Sequence, residues 1–70
     1  MSRQGDFMVY CTDLYKSAKN MTGKQVSDLF TNYHVWDYIY SCFDALHTTG
    51  AHYIVNDIDE YITARQPSMA

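Results

Sequence analysis

A chain of 70 residues with 47% hydrophobic content can form one small domain and is too short for two. At that size folding buries only about 60% of the surface that the unfolded chain exposes, so the core needs a supplement: a disulfide, a structural metal or a partner chain. Five Lys and Arg against eight Asp and Glu leave a net charge of −3. That balance disfavours a nucleic-acid footprint, which draws on clustered positive charge.

The charge is unevenly placed. Residues 1–36 carry Arg3, Lys16, Lys19 and Lys24 against Asp6, Asp13 and Asp28, whereas residues 37–70 carry Asp37, Asp44, Asp57, Asp59 and Glu60 against Arg65 alone. An acidic second half suits a basic cleft on another protein. It would equally serve as a solvated face that keeps a small apolar-rich chain in solution. Cys11 and Cys42 follow no apolar run long enough for a signal peptide, which points to a reducing cytoplasmic setting with free thiols. No segment approaches the ~20 consecutive apolar residues of a membrane span.

In chain order, residues 1–4 and 66–70 read as frayed ends around an ordered core of about 5–64, and the only proline, Pro67, lies in the second of them. Phe7, Met8, Cys11, Leu14, Tyr15 and Ala18 form one apolar stripe of a first helix from about Gln4 to Lys19. Thr22 and Gln25 have the spacing of a reciprocal capping box, with Met21 and Val26 as its hydrophobic staple, so a second helix starts here. It continues through Val26, Leu29, Phe30 and Tyr33. A third helix follows with almost no connection, through Trp36, Ile39, Tyr40, Phe43 and Leu46, and such a joint predicts a steep crossing as in a helix-turn-helix. Gly50 is expected to close it in the left-handed conformation. Tyr53, Ile54, Ile58, Tyr61 and Ile62 fit one face of a last helix from about Ala51 to Ala64. Asp57 and Glu60 also have capping-box spacing, which leaves open a shorter helix after an extended stretch at residues 52–55. The expected fold is all-α, a compact bundle of three to four short helices.

Catalytic chemistry finds little support in these residues. His47 and His52 are separated by four residues rather than the three that would stack two imidazoles on one helix face, and Gly50 lies between them. His47 is expected instead to anchor its turn on a backbone carbonyl. Asp57, Asp59 and Glu60 lack the glycine and ligand spacing of a calcium loop. No cofactor is expected. Seven tyrosines are the compositional oddity, since this side chain suits surfaces that are wet when free and dry when bound. Tyr15, Tyr33, Tyr40, Tyr53 and Tyr61 lie on the apolar stripes and are expected to edge the core. Tyr10 and Tyr38 lie off them. With Asp37, Asp44, Asp57, Asp59 and Glu60 they make the candidate partner-binding set.

The run Thr22-Gly23-Lys24-Gln25-Val26, then Leu29-Phe30, Tyr33, Val35, Asp37-Tyr38-Ile39, Asp44, Leu46-His47-Thr48-Thr49-Gly50, Tyr53-Ile54-Val55, Asp57-Ile58-Asp59 and Tyr61-Ile62 resembles a widespread group of short bacterial proteins known as a domain of unknown function. The likeness spans about residues 7–63, with Thr49 where glutamine is common and Phe43 where tyrosine is common. Members of that group are often encoded beside small proteins that look like ADP-ribosyltransferases, an arrangement typical of a toxin and its antitoxin. The resemblance therefore implies an antitoxin that docks on its cognate toxin and covers the active cleft. Two rival expectations are a helix-turn-helix DNA-binding regulator, which lacks Arg and Lys on its recognition helix, and a self-associating structural module.

Overall fold

The computed structural model describes residues 3–66 and contains α1 (Arg3–Lys19), α2 (Gly23–Asn32), α3 (Val35–Ser41), α4 (Phe43–Leu46) and α5 (Ala51–Arg65). It is an all-α bundle, and there is no strand among the described residues. Of the expected frayed ends, residues 1–2 and 67–70 lie outside the described residues. Arg3 and Gln4 are already helical, and the Arg3 guanidinium lies over the Phe43 ring.

Helix α1 buries Phe7, Cys11 and Tyr15, one residue per turn, while Met8 and Leu14 pack against the core and Ala18 stays exposed. Its end is set by Asn20, which takes a left-handed φ of 54°. The Asn20 amide donates to the Ser17 carbonyl and the Met21 amide to that of Lys16, the paired bonds of a Schellman ending. Asparagine tolerates this conformation better than most residues because its short polar side chain bonds locally. The capping box then forms as the spacing requires: the Gln25 amide donates to Thr22 Oγ1 at 3.1 Å and the Thr22 amide to Gln25 Oε1 at 2.9 Å. Val26 and Phe30 point inward behind it.

Only Tyr33 and His34 separate α2 from α3, and His34 makes the turn with a φ of 58°. The Trp36 indole fastens this joint by donating to Thr31 Oγ1 and meeting the Phe30 ring edge-on at 5.1 Å. The expected third helix is divided at Cys42, whose backbone (φ −101°, ψ 13°) bends the chain without ending its hydrogen bonding. The Cys42 amide still donates to the Tyr38 carbonyl, and the Leu46 amide to that of Cys42. Val35, Ile39, Phe43 and Leu46 thus all reach the core. Tyr40, one residue and about 100° beyond Ile39, is turned out and is 60% exposed rather than edging the core.

Gly50 departs from expectation. It is extended (φ −79°, ψ 165°) and is the N-cap of α5 rather than a left-handed helix end. Side chains close α4 instead: His47 Nδ1–H donates to the Phe43 carbonyl at 2.7 Å and Thr49 Oγ1 to that of Leu46 at 2.7 Å. Helix α5 runs unbroken through residues 52–55, so Asp57 and Glu60 sit within it and cap nothing. Its inward column is Ile54, Ile58 and Ile62, which leaves Tyr53 beside the column and 58% exposed. The column packs between α1 and α3, and α1 also packs on α2 and α3. Edge-on ring pairs, Tyr15 with Phe30 at 5.3 Å and Phe7 with Phe43 at 5.4 Å, join the two ends of the core. Cys11 and Cys42 are free thiols.

The two caps give opposite predictions. Thr22→Ala should cost about 1 kcal/mol of unfolding free energy in urea titration, because it removes the Oγ1 acceptor of the Gln25 amide and leaves only the backbone bond from the Thr22 amide to Gln25 Oε1. A side chain at Gly50 meets nothing within 4 Å, so Gly50→Ser should gain about 0.5 kcal/mol by capping α5 and stiffening the unfolded chain.

Candidate interaction surface

The Asp57-Ile58-Asp59 triplet straddles the line where α5 enters the bundle. Ile58 is fully buried. Successive helical residues point about 100° apart, so the two carboxylates leave on opposite flanks. Asp59 turns toward α1, where it accepts from the Tyr15 hydroxyl at 2.6 Å and pairs with Lys19 Nζ at 2.5 Å. Asp57 turns toward α3, where it accepts a hydrogen bond from the Tyr38 hydroxyl. The Tyr38 ring stacks on Tyr61 at 4.0 Å, and the Arg65 guanidinium covers Tyr61 at 3.5 Å. A line of contacts therefore runs Asp57, Tyr38, Tyr61, Arg65. His47 is held as the sequence reading expected, bonded to the Phe43 carbonyl, and it also stacks flat on the Phe43 ring at 4.5 Å.

Three of the seven expected contact residues, Tyr38, Asp57 and Asp59, are thus half-buried and committed to contacts within the chain. The other four are exposed: Tyr10, Asp37, Asp44 and Glu60. Tyr10 lies beside Phe7 on α1, at the end where Phe7 meets Phe43. Asp37, Tyr40, Ser41 and Asp44 follow one another along the outer side of α3 and α4, all exposed. On α5 the exposed residues Tyr53, Asn56 and Glu60, with Asp57, line a shallow hollow of about 190 Å³. Tyr40 and Tyr53 are surface residues that the sequence pattern assigns to the core edge, because each falls on a broad apolar stripe. The regular four-residue spacing of Ile54, Ile58 and Ile62 is the signal that would have set Tyr53 aside.

No group of three His, Cys, Asp or Glu side chains able to hold a metal ion occurs among the described residues. Burial pushes the Cys11 thiol up to about 12, the opposite of what a thiolate nucleophile needs. Tyr15 and Tyr38 are raised as well, chiefly by burial, with the hydrogen bonds to Asp59 and Asp57 and the charge of those carboxylates adding to it. No helix among the described residues is long and apolar enough to cross a membrane.

Compared with known proteins, residues 6–65 match a family described as a protein of unknown function (DUF3791), and the chain belongs to that family. Neither a curated protein nor a solved structure matches the chain.

The raised tyrosines fix how stability follows pH. In the unfolded chain a phenol loses its proton near pH 10, while in the folded chain Tyr15 and Tyr38 hold theirs to higher pH. Their contribution is therefore complete below about pH 10 and is lost as pH rises beyond it. Thermal unfolding followed by circular dichroism should show a midpoint that falls above that pH, with a shallower fall in Tyr15→Phe and Tyr38→Phe. Equal slopes in all three proteins would contradict the assignment.

Proposed function

We propose that this member of a family of unknown function is an antitoxin-like protein of the bacterial cytoplasm that neutralises a cognate toxin, ADP-ribosyltransferase-like, by covering its active cleft. The observation that supports docking best is the set of exposed acids and aromatics on α3, α4 and α5. Tyr40 stands open to solvent between Asp37 and Asp44 in the chain, and Tyr53 lines a hollow with Glu60, in a stretch, residues 37–64, that has no Lys or Arg. Tyrosine supplies contact area at low entropic cost, and an acidic field draws in a basic cleft and speeds its capture. The class of toxin rests on the resemblance carried by Leu46-His47-Thr48-Thr49-Gly50 and Asp57-Ile58-Asp59, whose group is often encoded beside such enzymes. Placed as a recognition helix in DNA, α3 would bring Asp37 toward the phosphates with no Lys or Arg to offset it, so a regulator of that kind is disfavoured.

The test is reconstitution with the product of the adjacent gene, which this reading expects to be an ADP-ribosyltransferase-like protein. The two should co-elute as a stable complex, and transfer from labelled NAD should fall to background at equimolar protein, with the association rate dropping as salt rises. Undiminished transfer in excess protein would refute the reading.

A further inference from the structure

A hollow of about 560 Å³ lies where the joint between α2 and α3 meets the end of α5, lined by Asn32, Tyr33, His34 and Arg65. Each of these side chains carries a hydrogen-bond donor, and no carboxylate lines the hollow among the described residues. The line of contacts from Asp57 through Tyr38 and Tyr61 ends on the Arg65 guanidinium and positions it: the group lies 3.5 Å over the Tyr61 ring, and Nη1 donates to the Tyr61 carbonyl at 3.3 Å. No carboxylate pairs with Arg65 among the described residues, so its other N–H groups are open to a ligand. The side chains of Asn32, Tyr33 and His34 likewise have no hydrogen-bond partner among the described residues. His34 adds a second kind of observation. Its φ of 58° is one that glycine or asparagine adopts at lower cost, yet the imidazole returns no bond to the fold. Strain of this kind is kept where the side chain is used.

We propose that this hollow binds a small organic phosphate, with the Arg65 guanidinium and the His34 imidazole on the phosphate oxygens. The inference goes beyond docking on a partner protein and does not depend on it. Donor count selects the anion. A carboxylate has two oxygens, which the Arg65 fork alone can occupy, whereas a phosphate monoester has three and more charge, enough to engage Asn32, Tyr33 and His34 as well. Size selects the rest of the ligand: about 560 Å³ exceeds a bare phosphate and falls in the range of small-molecule sites. The half-buried Tyr33 ring is the apolar wall against which the organic part lies.

The test is titration of the isotope-labelled full chain with three probes: phenyl phosphate, inorganic phosphate and benzoate. Phenyl phosphate should shift the amides of Asn32, Tyr33, His34 and Arg65 saturably, with a Kd below about 1 mM. Inorganic phosphate should move the same amides at least about tenfold more weakly, for want of the ring, and benzoate at least about tenfold more weakly, for want of the third oxygen and the charge. Arg65→Gln should weaken phenyl phosphate at least about tenfold, while Lys16→Gln, which removes an exposed cation on α1, changes it less than about twofold. Arg65 is exposed, so unchanged circular dichroism should accompany the loss. His34→Gly should weaken binding and raise the urea midpoint together, because glycine relieves the left-handed turn and removes the donor. No saturable shift, shifts centred elsewhere, wild-type affinity in Arg65→Gln, or a lowered urea midpoint in His34→Gly would overturn the proposal. Benzoate binding as tightly as phenyl phosphate would overturn the choice of phosphate, and inorganic phosphate binding as tightly would overturn the organic ligand.

Discussion

The burial of Ile58 between two carboxylates turned toward α1 and α3 is the arrangement on which the rest of the bundle depends. A helix laid across two others can rotate about its axis or slide along it, and apolar packing alone resists both weakly because it lacks direction. Asp59 stops that motion against α1 through Tyr15 and Lys19, and Asp57 stops it against α3 through Tyr38. Both bonds join a neutral phenol to a carboxylate, so each is charge-assisted without burying a second full charge. With α5 fixed on both flanks, its outer ridge of Tyr53, Asn56 and Glu60 is presented at a defined angle.

A chain this short needs something beyond its core, such as a disulfide, a metal or a partner. The bundle has free thiols and uses another device, polar fasteners at helix joints. The box at Thr22 and Gln25, the Trp36 bond to Thr31, the His47 and Thr49 bonds around α4 and the two acid–tyrosine pairs each close a place where a helix begins, ends or crosses another. Each is worth on the order of 1 kcal/mol, which matters when the whole domain is stable by about 0.05–0.15 kcal/mol per residue.

Much of this was legible in the sequence, because helical period and capping chemistry are local. The α2 start followed from Thr22 and Gln25, and the His47 bond to a carbonyl followed from its place at a turn. The misplaced features are ones that tertiary structure decides. Tyr40 lies within a broad apolar stripe, and only the direction of the Ile39 packing shows that it faces water, whereas Tyr53 is set aside by the four-residue spacing of Ile54, Ile58 and Ile62. Gly50 was expected to be left-handed from its place after a helix, yet the threonine and histidine bonds close α4 and leave the glycine extended. The left-handed turns fall on Asn20 and His34, and of these only asparagine gives a compositional hint. Asp57 and Asp59 look like surface acids from sequence alone, since their partners Tyr38 and Tyr15 lie far away in the chain.

That last point separates two kinds of residue within one acidic half. The carboxylates of the Asp57-Ile58-Asp59 motif hold the fold, while recognition is left to the exposed residues around them. A double-mutant cycle of Tyr38→Phe and Asp57→Ala, measured by urea unfolding of the free chain, tests this most directly, because differences in helix propensity cancel. A coupling of about 1 kcal/mol or more is the result expected of a charge-assisted bond that holds α5 to α3. Additive single changes, with no coupling, would show that Asp57 is free of the fold and would contradict the account.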